Sequence, residues 1–139
     1  LIKVVHEGVL DRYPNLTLVY HHLGGNIASM LGRMCLQLDL DRWPGLPDQR
    51  DLKPYEEFKY QLQDRVYVDT SGFFGFTAPL RATLEEFPAS NVLFGTDAPY
   101  EPRTPDELRE MVGTVEDLTA ESDSAKVLGG NALDLMVNV

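Results

Sequence analysis

Two stretches set the architecture: Val19-Tyr20-His21-His22-Leu23-Gly24-Gly25 and Val92-Leu93-Phe94-Gly95-Thr96-Asp97-Ala98-Pro99. Each is an apolar strand that runs into a polar residue and then into glycine or proline. In a parallel α/β sheet all strand ends of one polarity share a face, and that face is where such folds build their sites. His22 and Asp97 are therefore expected to be near neighbours. A histidine and a carboxylate converging at such a rim point to metal-assisted chemistry.

Outward from these stretches, helical and strand patterns alternate. Leu1, Val5, Val9 and Tyr13 recur in steps of four, which predicts an amphipathic opening helix ended by Pro14. Leu16 to Tyr20 read as a buried strand, followed by a helical stripe of Ile27, Met30, Leu31, Met34 and Leu38. Asp41 to Pro54, with Pro44, Gly45 and Pro47, read as a long loop before a short helix carrying Tyr55, Phe58 and Leu62 inward. Val66 to Thr70 form the second strand, and Leu80, Leu84 and Phe87 mark the next helix, with Thr77 as its expected cap. Asn91 to Asp97 form the third. Thr104-Pro105-Asp106-Glu107 combine cap, proline and acidic first turn, so a helix through Leu108, Met111, Val112, Val115 and Leu118 starts there. A last helical segment, Ala132 to Val137, follows Gly129-Gly130.

Composition limits the functional classes. The chain has 139 residues, 43% of them hydrophobic, enough for one domain with a core. Its 12 basic and 22 acidic residues give a net charge of −10, which opposes binding to nucleic acid and to anionic membrane surfaces. One cysteine, Cys35, rules out an internal disulfide and a cysteine-rich zinc site. No apolar run approaches the ~20 residues of a membrane span, and no signal peptide is recognisable. A cytoplasmic protein is expected.

Three βα units imply a parallel sheet, but three strands cannot close a barrel. A start within a helix and a sheet this small suggest the C-terminal part of a (β/α)₈ barrel, which typically takes about 250 residues. The alternative is an open three-layer domain that completes itself by dimerisation.

The run Gly8-Val9-Leu10-Asp11-Arg12-Tyr13-Pro14-Asn15-Leu16, leading to His22-Leu23-Gly24-Gly25 and Gly32-Arg33, resembles the metal-dependent amidohydrolase-related family. That family includes the aminocarboxymuconate-semialdehyde and resorcylate decarboxylase types. The resemblance continues through Tyr67-Val68-Asp69-Thr70-Ser71-Gly72, Phe94 to Pro99 and Gly130-Asn131-Ala132, in order along nearly the whole chain. It implies one partial TIM-barrel domain over residues 1–139, made of strands six, seven and eight with their helices and incomplete as a single chain. It also implies that His22 is the catalytic acid/base, that Asp97 is a metal ligand, and that Arg33 contacts a substrate carboxylate across a dimer interface. The implied cofactor is a divalent metal, zinc first and manganese second. The implied partners are a small carboxylated substrate and a second copy of the chain. Hydrolysis and nonoxidative decarboxylation both fit.

The family's other ligands, on strands one and five, lie upstream of Leu1. His6 does not replace them, because the opening helix carries it away from the strand ends. A catalytically incomplete fragment that self-associates without tight metal binding is the competing reading. A flavodoxin-like binding domain is disfavoured, because Gly24-Gly25 lacks the glycine spacing of a phosphate loop.

Other residues carry weaker readings. His21 is expected to face the helix layer if the strand stays regular to its end. Asp69 is a second acid/base of uncertain direction or a structural carboxylate. Trp43 lines a pocket or anchors the long loop. Phe73, Phe74 and Phe76 form an apolar pocket wall or a face that further barrel elements cover.

Overall fold

The computed structural model describes residues 1–39, 42, 52–73 and 75–137. Two short helices open it, α1 (Ile2–His6) and α2 (Val9–Arg12), and β1 (Leu18–Tyr20) follows. A tight turn then leads to α3 (Ile27–Gln37). Next come α4 (Tyr55–Arg65), β2 (Val66–Asp69), α5 (Thr77–Glu86) and β3 (Val92–Leu93). The chain closes with α6 (Pro105–Leu118), α7 (Glu121–Ala125), a wide turn over Lys126–Gly130 and α8 (Asn131–Val137). Trp43, Phe74 and most of the long loop lie outside the described residues.

The opening differs from the single helix its periodicity suggests. Gly8 adopts φ +66°, a left-handed conformation that ends α1 and starts α2. Val5 and Leu10 are buried in consequence, and Tyr13 is 60% exposed.

The three strands are parallel and lie in chain order, β1-β2-β3. Leu18 pairs with Val66, Val19 with Tyr67 and Tyr20 with Val68, and Asp69 pairs with Leu93. Because side chains alternate along a strand, the register gives the sheet two distinct faces. Val66, Val68 and Val92 are fully buried on one face, against a core that includes Phe58, Leu62, Leu80, Val115 and Val127. The other face carries Val19, Tyr67, Asp69 and Leu93, and its edge residue Val19 is 43% exposed. The expected burial of β1 is thus not met. Leu18 is half-buried, and Val19 and Tyr20 are exposed.

The third strand is shorter than its apolar run. Asn91 belongs to a 3-10 turn, only Val92 and Leu93 enter the ladder, and Phe94 turns its N–H to the carbonyl of Val127. Thr77 is the first helical residue of α5 and makes no capping bond, whereas α6 has a full capping box: Thr104 Oγ1 accepts from the Glu107 N–H, and Glu107 accepts from the Thr104 N–H at 2.6 Å. No helix among the described residues is long and apolar enough to cross a membrane.

Candidate active site at the strand ends

The parallel strands bring Tyr20, Asp69 and Leu93 to one rim, and the residues just beyond them form the site. After β1 the backbone turns left-handed. His22, Leu23, Gly24, Gly25 and Asn26 all have φ between 56° and 70°. Such a run is natural for glycine and asparagine and unfavourable by roughly 1–2 kcal/mol per residue for His22 and Leu23.

Asp69 holds this turn in place. Its Oδ1 accepts from the N–H of His22 at 2.9 Å, from the N–H of Ser71 at 3.1 Å and from the Ser71 hydroxyl. Its Oδ2 lies 2.9 Å from His21 Nδ1. A carboxylate that is 8% exposed is destabilising without hydrogen-bond partners, and these donors satisfy it. The clamp is closely fitted. A Cβ on Gly95 would stand 3.1 Å from Cβ and Cγ of Asp69, and one on Gly24 would stand 2.9 Å from Val68 Cγ1. Thr70 fastens the end of β2 to the segment that follows β3, donating from Oγ1 to the Gly95 carbonyl and accepting from the Gly95 N–H, both at 3.1 Å.

The turn directs the His22 ring across the rim, where Nε2 lies 3.2 Å from Asp97 Oδ2. Asp97 is itself left-handed, with φ 58°, and its side chain is 25% exposed against 56% for His22. The separation is within ion-pair reach of the imidazole and the carboxylate. The two residues expected to converge do so.

Arg33 does not join them. It is exposed on α3, and none of the hydrogen bonds described above involves it. His6 is also remote in role: its Nδ1 accepts from the Lys53 N–H at 3.1 Å, and its ring stacks on Phe58 at 4.8 Å. Burial, reinforced by the Lys53 charge, lowers its pKa below the ordinary 6.5. A cavity of about 830 Å³ beside His6, Met34 and Leu38 is lined by no strand-end residue.

His21 corrects an expectation. It continues the alternation of β1 onto the face of Val19, opposite Asp69, and does not face the helix layer. The ladder ends at Tyr20, and the backbone turns to positive φ at His22. The pattern of β2 leaves the direction of Asp69 open and gives Ser71 no role, although the two form the centre of the clamp. Gly24-Gly25-Asn26, three residues tolerant of positive φ, were the available signal.

As a metal site the rim is partial. Among the described residues, no three His, Cys, Asp or Glu side chains stand together in a way that could hold an ion. His22 and Asp97 offer one imidazole and one carboxylate, short of the three or four donors a divalent ion needs. The chain fits one corner of such a centre.

A family model for amidohydrolases matches residues 4–136. The chain belongs to the amidohydrolase family. Among similar proteins, the decarboxylase orsB of Emericella nidulans is 28% identical over 98% of this amidohydrolase chain and 39% of its own length. A gamma-resorcylate decarboxylase of Rhodococcus jostii is 31% identical over 72% of the chain and 29% of its own. In structure, the dihydroxybenzoic acid decarboxylase of Polaromonas sp. JS666, with bound manganese and the inhibitor 2-nitroresorcinol, superposes with TM-score 0.75 at 25% identity, over 99% of the chain and 39% of that protein. The amidohydrolase chain thus spans about two-fifths of the first of these relatives and of the superposed structure. The metal in that structure is manganese, and nothing in the comparison favours zinc.

Proposed function

We propose that this chain supplies strands six to eight of a metal-dependent amidohydrolase barrel that decarboxylates a small hydroxylated aromatic acid without oxidation. His22 is the proton-transferring residue and Asp97 a metal ligand. The observation that carries the reading is the pair itself: His22 Nε2 lies 3.2 Å from Asp97 Oδ2 at the shared strand-end rim. The decarboxylases among the relatives favour loss of carbon dioxide over hydrolysis.

Within this proposal the chain's residues act in sequence. Asp69 holds the left-handed turn, the turn aims His22, and His22 delivers the Nε2 proton to the substrate carbon that loses its carboxylate. A divalent cation at Asp97, manganese before zinc on the strength of the Polaromonas structure, would supply positive charge for the substrate's anionic oxygens. Arg33 belongs to the proposal by resemblance alone. The cytoplasm is the proposed location, and the free, exposed Cys35 suits a reducing compartment.

The test is conversion of γ-resorcylate by the full-length, manganese-loaded protein. Resorcinol and carbon dioxide in equal amounts are expected, and no conversion of any hydroxybenzoate would contradict the proposal. One observation favours a second reading, self-association of a catalytically incomplete chain: the apolar edge of β1, where Val19 is 43% and Tyr20 40% exposed. A metal-free oligomer of residues 1–139, measured by mass and metal content, would support it. A monomer holding one ion per chain would overturn it.

A further inference from the structure

The proposal above uses His22 and Asp97 and leaves a second histidine–carboxylate pair unassigned. Asp69 Oδ1 is occupied by two backbone N–H groups and a hydroxyl, and Oδ2 faces His21 Nδ1 at 2.9 Å. The carboxylate only accepts, so the proton of a neutral His21 lies on Nδ1 and the lone pair on Nε2. The His21 side chain is 76% exposed, on the sheet face of Val19 and Tyr67, and Nε2 has no hydrogen bond among the described residues. Its ring centroid is 6.4 Å from that of His22. One small aromatic molecule can reach both rings. A carboxylate that fixes the tautomer of a histidine and presents its other nitrogen is a common way of preparing that nitrogen for a ligand.

We propose that His21 is a second substrate-contacting residue, held by Asp69 so that Nε2 accepts a hydrogen bond from a hydroxyl group of the substrate. The claim deepens the decarboxylase reading and rests on it for the substrate class: hydroxylated aromatic acids are preferred over acids without the hydroxyl. Asp69 acts through His21 and is a positioning residue.

Asp69→Asn gives a specific test, because the amide is not symmetric. The Ser71 N–H and hydroxyl and the His22 N–H, the last shared with Ser71 Oγ at 3.2 Å, all point at Oδ1, so the amide oxygen takes that place. The NH₂ group then replaces Oδ2 and donates to His21 Nδ1. The His21 proton must move to Nε2, and the acceptor offered to the substrate becomes a donor.

The experiment uses the full-length protein loaded with a diamagnetic divalent ion. Long-range ¹H–¹⁵N correlations report the His21 tautomer, and calorimetric titration, run in the His22→Ala background so that γ-resorcylate is not consumed, compares γ-resorcylate with benzoate. The expected result is an Nδ1–H tautomer and tighter binding of γ-resorcylate. Asp69→Asn should flip the tautomer and reduce that preference roughly tenfold. His21→Ala, at an exposed position, should reduce the preference without touching Asp69. An Nε2–H tautomer in the wild type, equal binding of the two acids, or an unchanged preference in both variants would overturn the proposal. A preference that depends on His21 in a protein that never converts γ-resorcylate would support it and defeat the decarboxylase reading alone.

Discussion

The N–H of His22 donates to Oδ1 of Asp69 at 2.9 Å, and this bond anchors a left-handed residue at the end of β1. The same carboxylate oxygen takes the Ser71 N–H, so a single buried group organises the ends of two neighbouring strands. Asp69→Ala would remove the acceptor of the Ser71 N–H and leave the His22 N–H only its longer contact with Ser71 Oγ at 3.2 Å. A loss of about 3 kcal/mol is expected, since hydrogen bonds to charged groups each contribute ~1.5–3 kcal/mol. Urea unfolding midpoints measure it.

Gly24 sits where its backbone and its surroundings both exclude a side chain. With φ +70° and Val68 Cγ1 only 2.9 Å from the position of a Cβ, Gly24→Ala combines left-handed strain with overpacking. Roughly 2–4 kcal/mol of stability should be lost. Gly32→Ala is the control, because a Cβ there meets no atom within 4 Å. It should unfold at or above the wild-type midpoint.

How far the sequence reveals this arrangement depends on the kind of signal. The three βα units follow from apolar runs and glycine punctuation, and the Thr104–Glu107 box could be read directly because local hydrogen bonding alone defines it. The convergence of His22 and Asp97 follows from strand polarity. The side of the sheet taken by His21 did not, because that depends on which residue leaves the regular strand. The left-handed turn at His22 and Leu23 is imposed by the Asp69 clamp, a partner far along the chain. Breaks such as Gly8 likewise overrode a sound helical period, since one residue at positive φ outweighs four well-spaced apolar ones.

His6 should make stability depend on pH. Its folded pKa lies below 6.5, first because burial disfavours the charged ring and then because Lys53 repels it. The unfolded state therefore binds the proton more readily, so the contribution is fully present above about 6.5 and is lost as pH falls through the lower folded value. Unfolding midpoints should drop as the pH is lowered below about 6.5, and His6→Phe should flatten that part of the profile. Asp11, lowered chiefly by its hydrogen bond with Lys53, acts in a separate window below about 3.8.

Removing the Thr104 cap tests the start of α6. Thr104→Ala deletes the acceptor for the Glu107 N–H and should reduce stability by about 1 kcal/mol. Amide exchange should accelerate first in residues 106–108, and an unchanged rate there would count against the capping box.

The assignment of roles at the rim is tested most directly by metal content and turnover of γ-resorcylate, measured together on full-length His22→Ala and Asp97→Ala proteins. The account predicts that the His22 variant keeps its manganese and loses roughly 10²-fold or more in kcat, whereas the Asp97 variant loses both metal and turnover. Wild-type turnover in the His22 variant, or full metal content in the Asp97 variant, would contradict it.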